Sequence, residues 1–255
     1  MQSYVGITGF MTREEVDAII KLFLPQSPPR KLMIGVLASS GTLRGERGRN
    51  PQRYPRVETL VSMFTNHQHV VNLIHYETDE PDTLTEQLVR ATELGGPNLH
   101  GLQLNHMPWP DVNKLKSYRS QCKPSRLVLQ IGRTALEMID NSSSQLVSRI
   151  EGYMGIITDV LIDPSGGMGQ AFDVNETRRY LGALRSEYPY LGLVVAGGLS
   201  PETLGLVEPF LDDFSDLGID VEGRVRTHED TLDIQVAGLY LQLSMEMFAM
   251  HQTYQ

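Results

Sequence analysis

A carboxylate and a glycine-rich loop follow a short apolar run near the middle of the chain. The run 160–162 is typical of a buried strand, Asp163 ends it, and the segment 164–169 contains three glycines. A carboxyl at a strand end can give or take a proton, and glycines let backbone N–H groups approach an anion closely. We interpret Asp163 as a candidate catalytic acid or base, and Gly166 and Gly167 as candidate phosphate ligands. The alternative role for Asp163 is a loop cap that accepts backbone N–H bonds.

Two further glycine turns follow apolar runs later in the chain. In the first turn, Ser200 is placed to cap a helix that begins at Pro201, and the N-terminus of such a helix attracts anions. The second turn carries an arginine beside its glycine. The candidate phosphate ligands at these turns are Gly197, Gly198, Gly223 and Arg224. The alternative is that both are ordinary tight turns.

An arginine-rich segment lies between residues 41 and 56. Its arginines are Arg44, Arg47, Arg49, Arg53 and Arg56. Arginine matches the geometry of carboxylate and phosphate groups, so the segment is a candidate loop that closes over an anionic ligand. Arg53 is the candidate substrate-binding residue within it. The alternative is a solvated loop without a ligand.

Polar residues also end the predicted third, fourth and fifth strands. His75 and His106 are candidate catalytic bases, because the ordinary pKa of histidine, about 6.5, suits proton transfer. Asn105 and Gln130 are candidate substrate-binding residues. Two histidines near Asp163 would also be compatible with a metal, but their spacing does not support one. We therefore expect no metal and no cofactor.

Length and charge restrict the class of protein. The chain has 255 residues and a formal net charge of −9, which argues against nucleic-acid or anionic-membrane binding. One cysteine, Cys122, excludes an intramolecular disulfide and fits a cytoplasmic setting. No apolar run approaches the roughly 20 residues of a membrane span, and the N-terminus does not resemble a secretory signal. The expected partner is a phosphorylated small molecule, and the sequence leaves a homo-oligomer open.

Strand-like and helix-like segments alternate from end to end. The predicted strands are 4–8, 31–37, 69–75, 99–104, 126–131, 158–162, 192–196 and 217–221. The predicted helices include 12–24, 56–65, 82–94, 111–121, 133–150, 174–188, 201–211 and 228–250. Eight such units predict a single α/β domain over 1–255, a (β/α)₈ TIM barrel. A doubly wound open sheet is the alternative. Barrels of this class carry their sites at the carboxyl ends of the strands, often with phosphate after strands 7 and 8.

Several segments resemble the phosphoribosylanthranilate isomerases, whose fold is a ribulose-phosphate-binding TIM barrel. The segments are GIT (6–8), RYPRVET (53–59), LQL (102–104), LIDPSGGMGQAFD (161–173), AGGLSPET (196–203) and DVEGRVRT (220–227). The likeness covers nearly the whole chain in order. It implies the barrel fold, a phosphate cradle and an acid at the end of the sixth strand, which corresponds to Asp163.

The sequence departs from the family pattern where the chemistry is expected. The family has a cysteine base immediately before Gly-Ile-Thr, and that position is Val5 here. The histidine of the fourth strand is replaced by Asn105, and the lysine of the strand-6 loop by Gln170. Glu222 beside Arg224 would either repel a phosphate or pair with that arginine. These departures favour a retained fold with altered chemistry.

Three functions follow from this pattern. The first is a barrel protein that binds a phosphorylated, sugar-derived molecule and performs isomerase- or lyase-type acid–base chemistry through Asp163. The second is a genuine phosphoribosylanthranilate isomerase with a substituted base. The third is a non-catalytic binding or regulatory protein on the same fold.

Overall fold

A computed structural model describes residues 2–46, 50–165 and 172–252. In this part of the chain eight parallel strands close into a barrel in sequence order, so the predicted (β/α)₈ TIM barrel is confirmed. The strands are β1 (Tyr4–Thr8), β2 (Lys31–Ser39), β3 (Val70–Glu77), β4 (Gly101–Leu104), β5 (Arg126–Gly132), β6 (Asp159–Asp163), β7 (Gly192–Val195) and β8 (Gly218–Val221). Gly166, Gly167, Arg47, Arg49 and Gln170 lie outside the described residues.

Successive side chains of each strand point alternately into the barrel and toward the helices. The inner cluster consists of Tyr4, Met33, Val71, Leu73, Val128, Leu161 and Val194. The outer cluster contains Val5 and Ile7 of β1 together with the buried faces of the helices. On β1, Tyr4, Gly6 and Thr8 therefore face inward, and Val5 faces outward.

Nine α-helices surround the barrel in the described part of the chain. They are α1 (Arg13–Phe23), α2 (Ser40–Leu43), α3 (Leu60–Met63), α4 (Leu84–Gly95), α5 (Val112–Gln121), α6 (Arg133–Glu137), α7 (Ser143–Glu151), α8 (Val174–Glu187) and α9 (Ile234–Gln252). The start of α1 is fixed by a capping box: Glu15 N–H donates to Thr12 Oγ1, and Thr12 N–H donates to Glu15 Oε2. None of the helices in these ranges is long and apolar enough to cross a membrane.

Three predicted helices differ from the structure. The segment 201–211 contains two short 3₁₀ helices, Leu204–Leu206 and Glu208–Phe210, and no α-helix. Pro209 lacks the N–H group that a continuous α-helix would need there. The predicted helix 133–150 is interrupted between α6 and α7, where Asp140 and Asn141 have φ of 52° and 51°.

The predicted helix 56–65 is also divided. It consists of the 3₁₀ helix Val57–Thr59 followed by the single turn of α3.

The two ends of the barrel differ in polarity and in role. At the amino ends of the strands, Arg126 Nη1 donates to Asp159 Oδ1 at 2.8 Å, and each side chain is 4% exposed. The carboxyl ends carry a larger set of polar groups around an open cavity. The first end stabilises the barrel, and the second is the candidate site.

Candidate active site

A cavity of about 320 Å³ opens at the carboxyl ends of the strands. The predicted site residues that line it are Arg53, His75, Asn105, His106, Gln130, Asp163, Gly197, Gly198, Gly223 and Arg224. Residues far apart in sequence thus meet on one surface, as this fold requires of its active sites. Their individual roles stay predictions.

Asp163 is held at the end of β6 by two hydrogen bonds. Ser165 Oγ donates to Oδ1 at 2.6 Å, and Gln130 Nε2 donates to Oδ2 at 3.1 Å. The carbonyl oxygen of Gln130 is buried and has no hydrogen-bond partner among the described residues. Asp163 is therefore fixed in orientation, and Gln130 has an acceptor to offer a ligand.

The glycine turn after β7 lies against this carboxylate. Gly197 and Gly198 have φ of 110° and 63°, conformations that favour glycine. A Cβ on Gly197 would lie 2.9 Å from Asp163 Oδ1 and 3.0 Å from Ser165 Oγ. Within the described ranges, the N–H groups of Gly197 and Gly198 have no protein acceptor. The turn therefore offers backbone donors beside a carboxylate, which suits one anionic group of a ligand.

Ser200 caps a turn and does not cap the helix that the sequence predicted. Its Oγ accepts from the N–H groups of Glu202 and Thr203, and it donates to Glu202 Oε2 at 2.6 Å. The hydrogen bond from Ser200 lowers the pKa of Glu202, with a smaller contribution from the charge of Arg224. The exposed Arg224, in the turn after β8, is thus close enough for its charge to act on Glu202.

Two buried residues that line the cavity, His75 and Asp220, are both contacted by the buried Thr8. Thr8 Oγ1 donates to Asp220 Oδ1 at 3.0 Å, and His75 Nδ1 lies 4.0 Å from Asp220 Oδ2. The pKa of Asp220 is raised to about 8: burial is the largest cause, the charges of Glu222 and Asp163 add to it, and the hydrogen bond from Thr8 opposes it.

Sequence reasoning missed Thr8 and Asp220. The signal that would have found them is the alternation of inward positions, 6 and 8 on β1 and 218, 220 and 222 on and after β8. Because Val5 faces outward, it does not line the cavity. Thr8, at the end of β1, is fully buried and contacts two lining residues, His75 and Asp220.

His75 is more buried than the sequence implied. It is 1% exposed, and burial lowers its pKa to about 3, far below the ordinary value near 6.5 on which its candidacy as a base rested. Its Nδ1 lies 3.2 Å from Gln103 Nε2, and its Nε2 has no partner among the described residues. The imidazole is therefore neutral near pH 7 and serves as a hydrogen-bonding group. His106, by contrast, is exposed at the rim with φ of 50°.

Arg53 bridges two acidic residues above the cavity. It donates from Nη1 to Glu222 Oε1 at 2.9 Å and from Nε to Asp230 Oδ2 at 2.8 Å. Arg226 Nε binds the other oxygen of Asp230, also at 2.8 Å. Glu222 thus pairs with Arg53, which joins the segment after β2 to the segment after β8. Across the described residues, no group of three or more His, Cys, Asp or Glu could hold a metal ion.

No protein-family model matches the sequence, and no curated protein matches it. Solved structures do resemble the fold. Phosphoribosyl anthranilate isomerase from Thermus thermophilus is 15% identical, with a TM-score of 0.60 over 94% of this chain and 98% of that one. TrpF from Jonesia denitrificans is 16% identical, with a TM-score of 0.58 over 96% of this chain and 98% of that one.

A second enzyme class shares the fold as closely. The alpha subunit of tryptophan synthase from Legionella pneumophila is 14% identical, with a TM-score of 0.60 over 97% of this chain and 93% of that one. At these identities the likeness concerns the fold, and function has to be argued from the site.

Proposed function

We propose that this protein binds a phosphorylated, sugar-derived small molecule in the cavity and acts on it by isomerase- or lyase-type acid–base chemistry through Asp163. The ligand's phosphate would bind the backbone donors of Gly197 and Gly198, with Arg224 at its outer side. Its sugar part would extend over Asp163 toward the centre of the barrel.

The observation that carries the proposal is the contact between the glycine turn and the carboxylate. A Cβ on Gly197 would lie 2.9 Å from Asp163 Oδ1, so a sugar whose phosphate binds the turn extends past that carboxylate. A phosphoribosyl anthranilate isomerase with a TM-score of 0.59 to this chain was solved with reduced 1-(o-carboxyphenylamino)-1-deoxyribulose 5-phosphate, a ligand of that class.

Turnover by an Asp163→Asn variant tests the chemistry. The variant keeps the shape of the side chain and removes its ability to take a proton, so turnover of an accepted phosphosugar should fall by roughly 100-fold or more. Ligand binding should stay within a few-fold of wild type. Retained turnover in a folded variant would contradict the role of Asp163.

The alternative of a genuine phosphoribosylanthranilate isomerase is supported by two carboxyl groups in one cavity. An Amadori rearrangement needs an acid and a base, and Asp163 and Asp220 are two groups that could serve in place of a cysteine. Expression in a tryptophan auxotroph that lacks this isomerase is the test. Growth would favour the alternative, and failure of soluble protein to support growth would reject it. Ligand binding without turnover across a phosphosugar panel would instead indicate a non-catalytic binding protein.

A further inference from the structure

We propose that Asp220 is a second catalytic residue of the cavity, which gives a proton to a ligand oxygen while Asp163 takes one from the adjacent carbon. The inference rests on the proposed function and extends it to the class of substrate: a phosphorylated hydroxy-aldehyde or hydroxy-ketone. Nothing in the sequence pattern or in the similar folds assigns this role to Asp220.

The barrel interior leaves room for the Asp220 carboxyl. Gly6, opposite on β1, has no side chain, and a Cβ there would lie 2.5 Å from Asp220 Oδ1. Thr8 then fixes the carboxyl through hydrogen bonds to Oδ1 at 3.0 Å and Oδ2 at 3.3 Å. Asp220 is only 6% exposed, yet it lines the same cavity as Asp163. No cation pairs with Asp220 in the described part of the chain, so its burial is not explained by a structural ion pair.

Two side chains that line the cavity with Asp220 carry unpartnered polar atoms. His75 Nε2 and Gln103 Oε1 are buried and have no hydrogen-bond partner among the described residues, although both side chains line the cavity. His75 Nδ1 lies 3.2 Å from Gln103 Nε2 and 3.3 Å from Thr8 Oγ1. Gln103 Oε1 is an acceptor, and His75 Nε2 donates or accepts according to the tautomer of the ring, so the pair suits the hydroxyl and carbonyl groups of a ligand. Unsatisfied buried groups of this kind are costly unless a ligand or water completes them.

Burial, assisted by two nearby carboxylates, keeps Asp220 protonated near neutral pH. The groups that face it are His75 on β3, Asp163 on β6, Glu222 beyond β8, and the phenols Tyr4 on β1 and Tyr240 on α9. Burial, with smaller contributions from the two acids, raises the pKa of Asp220 to about 8. Burial also lowers the pKa of His75 to about 3 and raises those of both phenols well above their ordinary value, so these three neighbours are neutral.

The proton transfers balance without any other reactant. Asp163 takes the proton from carbon 2 of an open-chain aldose while Asp220 gives its proton to the aldehyde oxygen, which forms an enediol. Asp163 then returns a proton to carbon 1, and the Asp220 carboxylate takes the proton of the hydroxyl on carbon 2. The product is the ketose, and both side chains return to their starting states.

The test is to incubate ribose 5-phosphate with the protein in D₂O and to monitor the exchange of its carbon-2 hydrogen by proton NMR. Wild type should catalyse the exchange, and Asp163→Asn and Asp220→Asn should each slow it by roughly 100- to 10,000-fold. Binding of ribose 5-phosphate, measured separately by calorimetry, should stay within a few-fold. The matched control is Asp17→Asn, which changes an exposed carboxylate on α1 and should leave the exchange rate unchanged.

The pH profile separates a catalytic acid from a structural side chain. Exchange should fall as pH rises through the pKa of Asp220, and Thr8→Val should move that fall to higher pH, because the Thr8 hydrogen bond lowers this pKa. Normal exchange by a folded Asp220→Asn variant, or an unchanged profile in Thr8→Val, would overturn the role of Asp220. Ribose 5-phosphate that binds without exchange in wild type would overturn the chemistry and leave the phosphate site intact. No binding at all would overturn the proposed function itself.

Discussion

Arg53 Nη1 donates to Glu222 Oε1 at 2.9 Å and thereby ties the segment after β2 to the segment after β8. From the sequence, Arg53 is a candidate ligand of an anion, and Glu222 is a residue that would repel a phosphate or pair with Arg224. In the structure each satisfies the other, and Asp230 shares the guanidinium at 2.8 Å. Arg53 is therefore already paired with two carboxylates, and a ligand that binds Arg53 has to compete with them.

Loss of Arg53 should destabilise the protein. Arg53→Ala leaves Glu222 half-buried without its cation, and charged hydrogen bonds of this kind are worth about 2 kcal/mol. Urea unfolding measures the change. Arg90→Ala, which breaks the exposed Arg90–Glu93 pair, is the control and should change the free energy of unfolding little. Equal effects of the two variants would show that the Arg53 bridge contributes no more than a surface pair.

The ion pair at the opposite end of the barrel should matter more. Arg126→Met leaves Asp159 buried without its guanidinium partner, which costs about 3–5 kcal/mol for a buried pair. The control is Arg179→Met, whose Arg179–Glu176 contact of 3.8 Å lies at the surface. Differential scanning calorimetry should show a large fall in melting temperature for the first variant alone. Similar melting temperatures would mean that the pair is replaced by solvent at little cost.

Gly6 should tolerate no side chain. Gly6→Ala places a methyl group 2.5 Å from Asp220 Oδ1 and 2.6 Å from Met33 Cε, so one of them has to move. Overpacking of this kind costs about 1–3 kcal/mol. Gly182→Ala on α8 is the control, because nothing lies within 4 Å of its new Cβ and alanine favours the helix. Urea unfolding should show a loss for Gly6→Ala and no loss for Gly182→Ala; a stable Gly6→Ala variant would contradict the tight fit around Asp220.

Stability should fall as pH rises from 7 to 9. The folded-state pKa of Asp220 is raised to about 8, so the folded protein holds this proton more tightly than the unfolded chain does. Its contribution is complete below the unfolded pKa of about 4 and is lost progressively as pH rises from there through 8, with about 1.4 kcal/mol of the loss between pH 7 and 9. His75 titrates in the opposite sense and below this window, because its folded pKa is about 3. Urea unfolding of wild type and Asp220→Asn measures the difference; equal slopes in the two proteins would contradict a raised pKa.

The order of the strands and the barrel closure could be predicted because each strand is a short apolar run between turn residues. The prediction 4–8 coincides with β1, and the other strands differ by one to two residues at their ends. The helix predicted over 201–211 failed for a local reason. Ser200 and Pro201 form a good start for a helix, but Pro209 has no N–H to donate to the carbonyl of Gly205, so an α-helix is interrupted there.

The site could be predicted only where its residues stand at strand ends beside glycines. Asp163, Gly197 and Gly198 carry that signal, and they lie together in the cavity. Thr8 and Asp220 do not carry it, because their importance comes from the contact between the first and last strands, which become neighbours only when the barrel closes. The pairing of Arg53 with Glu222 spans 169 residues, and no local pattern in the sequence indicates it.

The most direct test of the account is a thermal-shift measurement with phosphate and with ribose 5-phosphate on three proteins. A ligand that binds the folded state stabilises it and so raises the melting temperature. At a ligand concentration of 100 times the dissociation constant, the stabilisation is about 2.7 kcal/mol. Wild type and Gly205→Asp should both show the rise, because Gly205 lies in the same connection with open space around it. Gly198→Asp, which places a carboxylate at the glycine turn, should abolish it. A rise in all three proteins would put the phosphate elsewhere, and no rise in wild type at millimolar ligand would contradict the phosphosugar site.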